Sequence, residues 1–156
     1  SACANKQPEE HMRRSVTIVT VFMCALSALA VLADEKPTQA YQKAMKDLSA
    51  TNQALRAEVK TIEAAGAYPD YTQVDKHVSA LRAALKTTLA YWSEKKVDDA
   101  IKVTQAALKG VDDLEKAAKE KSYDSLVAAS GAIGATCATC HKAHRVQTPD
   151  GMYEIK

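Results

Sequence analysis

The stretch SYDSLVAASGAIGATCATCHKAHR, residues 122–145, decides how the chain is read. Ser122 is a good helix N-cap, and a helical stripe runs on from it through Tyr123, Leu126, Val127, Ser130, Gly134, Cys137, His141 and His144. Toward its end the stripe becomes Ser130, Gly134, Cys137 and His141, a poor apolar seam. Either that end is exposed or something other than side chains fills it. Within it, Cys137-Ala138-Thr139-Cys140-His141 has the spacing C-x-x-C-H, the attachment pattern of a c-type haem. Two thiols three residues apart lie near one helical face, so both can add to the vinyl groups of one porphyrin. The adjacent His141 then offers an imidazole nitrogen to the iron. Two further chemistries use such a pair. A dithiol redox centre opens a helix beside a sheet, and no sheet is visible here. A zinc site lacks its second Cys pair, leaving His77 and His144 to complete the shell. A structural disulfide is the remaining alternative to one covalent haem c.

Upstream lie three more helical stretches. Thr38 to Ala65 carries Tyr41, Met45, Leu48, Asn52, Leu55, Val59 and Ile62 at alternating steps of four and three, the repeat of a helix packed lengthwise against others. Gly66 supplies a stop, and Pro69-Asp70 a turn. Tyr71 to Trp92 repeats the pattern, as does Val97 to Lys119. Nothing alternates with period two, so no strand is expected, and Thr148 to Lys156 reads as a turn and a short tail. The expected fold is all-α: an antiparallel up-down-up-down four-helix bundle with a covalent haem near the C-terminus. Tyr91 and Trp92 are expected to cap the bundle end away from the haem. His77 reads as a surface residue beside the second stripe.

Composition agrees. The chain has 156 residues, 47% of them hydrophobic, which argues against disorder, and Ala, Leu, Lys and Glu favour helices. A net charge of +2 without a basic run speaks against a nucleic-acid partner. One Trp, one Phe and six Tyr make a thin aromatic core, which a porphyrin would supplement. No acid/base pair, nucleophile triad or phosphate loop is visible, so no enzymatic activity is expected.

Met12-Arg13-Arg14 followed by the apolar run Val16 to Ala33 reads as a secretory signal peptide cleaved after Ala33. If uncleaved, the same run would anchor the chain in a membrane. Residues 1–11 are then an extension or upstream start, 12–33 the signal, and 34–156 the bundle, placed in the periplasm. Cys3 and Cys24 fall before the cleavage point, so the two remaining cysteines are those of the haem motif.

A haem motif on the fourth helix of a bundle resembles the cytochrome c′ family. Cys137 to Arg145 is similar to that family's C-x-x-C-H-x-x-aromatic-Arg, with His144 where an aromatic is usual. Ala40-Tyr41-Gln42-Lys43-Ala44-Met45 is similar to its first-helix Tyr-Arg segment, with Gln42 in place of Arg. The resemblance implies that Arg145 acts near the histidine or a propionate, and that two bundles can pair as a homodimer. It also implies two functions. Low-spin relatives place a Met from the first helix on the iron and carry electrons. Five-coordinate members present an apolar side chain and bind NO or CO.

Met45 is the candidate sixth ligand. It lies near the N-terminal end of the first helix, which antiparallel packing brings close to the C-terminal end of the fourth, and its thioether suits haem iron. Its place on the heptad stripe equally suits a core filler. Leu48 would wall off the distal pocket if Met45 does not bind. Tyr41 packs near the haem edge or serves the core. Met152, in the tail, is poorly placed to reach the opposite haem face. The leading expectation is an exported monohaem electron carrier with His141/Met45 ligation and redox partner proteins. The alternatives are a gas-binding cytochrome c′ and a haem-free, disulfide-containing helical binding module.

Overall fold

Side-chain caps mark the starts of the first and last helices. The structure, a computed structural model, describes residues 36–66, 70–151 and 153–156. The extension, the signal segment, Pro69 and Met152 lie outside the described residues. Helix α1 spans Gln39–Ala64, and the Thr38 hydroxyl accepts the Tyr41 N–H at 3.2 Å. Gly66, at φ +59°, ends it in the left-handed conformation that glycine adopts without strain. Helix α2 spans Thr72–Lys95; just before it, the Asp70 carboxylate accepts from the Thr72 N–H and hydroxyl at 2.9 and 3.1 Å. Those two bonds hold the Asp70 carboxyl below its ordinary range. Helix α3 spans Asp98–Lys119, with Asp98 and Asp99 in its first turn opposite the positive end of the helix dipole. Helix α4 spans Tyr123–His144, and Ser122 caps it by accepting the Ser125 N–H.

The expected four helices are therefore present, and the heptad stripes form the core. Leu55, Val74, Val111, Leu114 and Leu126 are wholly buried along the axis. Helices α3 and α4 approach most closely at Gly110, where a Cβ would stand 2.9 Å from Cγ1 of Ile133. The bundle is a ring in which α1 packs on α2, α2 on α3 and α3 on α4. Helix α1 closes back onto α4 through the thinnest of the four seams. Across the α2–α3 seam, Arg82 bridges Asp112 and Glu115. Among the described residues no helix is long and apolar enough to cross a membrane.

Two expectations need correction. The tail is not merely a turn: Arg145–Gln147 (β1) and Tyr153–Ile155 (β2) form a two-stranded antiparallel hairpin. Three-residue strands are too short to show alternation, and a side-chain contact supports them, the Arg145 guanidinium lying 3.4 Å from the Tyr153 ring centroid. The second concerns Tyr91 and Trp92. They do not cap the far end. Antiparallel topology brings the C-terminal end of α2 to the same end as the C-terminal end of α4. There Tyr41, Tyr91, Trp92 and Ala100 form a separate core cluster, with Cys140 and Ile155 packed against it.

Candidate functional site

The thin seam between α1 and α4 opens into a cavity of about 410 Å³. Cys137, Cys140 and His141 line it from α4, and Met45, Leu48, Asn52 and Arg56 line it from α1. Its inner wall comes from Leu85 and Thr88 of α2 and Thr104 of α3. The buried Thr88 and Thr104 hydroxyls donate to carbonyls four residues back in their own helices, so they leave the wall without unmet polarity. Gly134, Cys137 and His141 of the weak seam thus have their explanation in this space between the helices, while Ser130 is buried outside it.

Both thiols are free and half-buried. Cys137 packs against the main core and Cys140 against the aromatic cluster, yet both open onto the cavity. Burial raises both thiols above their ordinary value, with the neighbouring Cys137 and Asp99 adding to the effect at Cys140. The Arg56 charge opposes the shift at Cys137. For His141, burial and then the Arg145 charge disfavour the protonated ring. A neutral imidazole is the form that offers a lone pair to a metal.

The remaining nominated residues divide by position. Leu48 is buried and Met45 half-buried on the α1 wall, with Met45 touching both core clusters. Tyr41 is buried among the aromatics, its ring centroid 4.1 Å from Tyr91 and 5.7 Å from Trp92. Arg145 stands at the hairpin, over Tyr153. His144 turns the other way: its Nε2 lies 3.0 Å from Asp99 and its ring meets Trp92. His77 lies half-buried on α2. Among the described residues no three His, Cys, Asp or Glu side chains converge as for a lone metal ion.

Asn52 and Arg56 are two of the wall residues that the sequence did not nominate. Asn52 carried a signal, being a polar side chain on an apolar stripe. Its Oδ1 is buried with no hydrogen-bond partner. Arg56 carried none, because it stands one residue off the stripe and reaches sideways. An orphaned polar atom, two thiols and an imidazole around one space between two helices fit the group that C-x-x-C-H implies.

Fold and site together define an antiparallel four-helix bundle with a haem-attachment sequence at the C-terminal end of its last helix. That fold is the fold of the cytochromes c′. The chain is similar to the cytochrome c′ from Rubrivivax gelatinosus, with a TM-score of 0.52 and 19% identity over 69% of this chain and 95% of that one. It is also similar, at a TM-score of 0.45 and 20% identity, to a nitric oxide complex of a point mutant of cytochrome c prime from Alcaligenes xylosoxidans, covering 77% of this chain and 99% of that one. No family model and no curated protein matches the sequence.

Proposed function

We propose that this chain is an exported c-type cytochrome of the cytochrome c′ kind. In this reading one haem is held covalently by Cys137 and Cys140, with His141 as its axial ligand, and the protein binds NO or CO without turning them over. One observation carries the reading: both thiols and the imidazole open onto a single cavity whose opposite wall is α1. When bound, haem supplies an iron centre that takes small diatomic ligands. The protein's part is to position and to exclude. Leu48 and Met45 narrow the space facing α4, and partial burial with the nearby Arg145 charge disfavours the protonated form of His141.

The second reading is an electron carrier with His141/Met45 ligation and a protein redox partner. Met45 favours it, since this half-buried thioether lines the same cavity as the imidazole. A visible spectrum of the matured protein separates the two. High-spin bands and ready CO binding by the wild type support the gas-binding reading. A low-spin reduced spectrum that collapses in Met45→Ala supports the carrier. A colourless protein removes both and leaves the helical binding module. Export rests on the Met12–Ala33 segment; a periplasmic product beginning at Asp34 is the expected result, and sedimentation of that product tests pairing of two bundles.

A further inference from the structure

We propose that Arg56, supported by Asn52, forms an oxyanion subsite on the α1 wall of the cavity that takes a carboxylate. The proposal rests on the haem reading, in which the nearest source of a carboxylate is a propionate of the haem itself. A small free oxyanion such as nitrite shares the chemistry.

Four observations converge. The cavity is lined by no Asp or Glu, and Arg56 is the one Lys or Arg among its lining residues. Among the described residues no carboxylate pairs with Arg56, whereas Arg82 on α2 has two such partners. Across the seam Arg56 meets Gly134, where a Cβ would stand 3.0 Å from Nη2. The guanidinium therefore lies over bare α4 backbone, one helical turn before Cys137, and its charge reaches that thiol. Finally, Asn52 stands four residues before Arg56, hence on the same face of α1, with its buried Oδ1 unpartnered. Its amide can present either oxygen or NH₂ to a bound group, because the partner decides the orientation.

The side chain that the resemblance nominates for such a role is engaged elsewhere, since Arg145 lies over the Tyr153 ring. A planar guanidinium grips a carboxylate through two parallel N–H bonds, which a point charge does not reproduce.

The test uses the matured protein, with potentiometric titration across pH in wild type, Arg56→Gln, Arg56→Lys and Asn52→Leu, and circular dichroism to confirm folding. The titratable or charged groups lining the site are Arg56 from α1 and Cys137, Cys140 and His141 from α4, and from outside the lining Asp99 of α3 acts on Cys140 and Arg145 on His141. A carboxylate beside Arg56 stays ionised to low pH. Arg56→Gln is therefore expected to raise the propionate ionisation seen in the potential by about one to three pH units, with partial restoration by Arg56→Lys and a smaller rise in Asn52→Leu. Nitrite titration distinguishes the source: nitrite binding by wild type that Arg56→Gln abolishes supports the subsite with a free oxyanion as its occupant. If Arg56→Gln moves neither the pH profile nor nitrite binding, the subsite is overturned. A colourless wild type instead overturns the haem reading, and this proposal with it.

Discussion

The rings of Trp92 and His144 meet with centroids 5.1 Å apart and planes inclined at 45°, joining the end of α2 to the end of the helix that carries the haem motif. Trp92 is the chain's single tryptophan and is 2% exposed. Its fluorescence should be strong in haem-free protein and almost fully quenched after haem attachment. Equal emission in both forms would place it at the opposite end. His144→Ala should lower stability by about 0.5–1.5 kcal/mol through loss of the ring contact, measured by denaturant unfolding.

Tyr41 sets an alkaline limit. Burial, and then the neighbouring Cys140 and Tyr91, raise its phenol above the ordinary tyrosine value. The unfolded chain releases that proton near pH 10, while the folded one retains it. Stability from this group is intact below about pH 10 and declines as pH rises toward the folded value. Tyr41→Phe should therefore lose less stability than wild type between about pH 8 and about pH 11, read as the shift in denaturant midpoint.

The raised thiols predict a reactivity. In haem-free protein, Cys137 and Cys140 should be alkylated by iodoacetamide several-fold more slowly at about pH 8 than in the urea-unfolded chain, because thiolate is the reacting form. Matching rates would mean that burial does not reach them.

At Gly110 two effects oppose. Replacement by Ala gains about 1 kcal/mol of helix propensity but forces a methyl to 2.9 Å from Ile133, itself 1% exposed. Overpacking of a closed contact costs about 1–3 kcal/mol, so Gly110→Ala is expected to be net destabilising. In an Ile133→Ala background the same change should become neutral or favourable, and a double-mutant cycle measures the difference.

Lys96 and Lys121 hold φ of 57° and 52° at the ends of α2 and α3. A non-glycine residue there stores about 1–3 kcal/mol, against about 0.5–1 kcal/mol of entropy that glycine loses on folding. Lys96→Gly and Lys121→Gly should each raise the unfolding midpoint. A fall would show that the lysine side chains contribute more than the backbone strain.

The helices were legible because their signals are local. Ser122, Thr38 and Gly66 sit where their caps and stops require, and the stripes through Leu55, Leu114 and Leu126 name the buried faces. The attachment sequence was equally plain, since its chemistry depends on spacing along one turn. Stripes reveal faces but not ends, and only the alternating direction of the helices brings Tyr91 and Trp92 beside Cys140. The hairpin left no pattern because each strand has only three residues. Arg56 was invisible for another reason: its reach to Gly134 crosses between helices distant in sequence, which periodicity within α1 does not encode.

The thin seam also shapes the order of assembly. Three of the four helix contacts join neighbours in the chain and form at small cost in loop closure, while the fourth joins the first helix to the last. A group lodged between α1 and α4 therefore acts on the one contact of high sequence separation. The chain can thus condense first into an incomplete ring whose two ends still part, which leaves the attachment sequence on α4 open to the seam. On the proposed function, a haem lodged there would then fasten the first helix to the last.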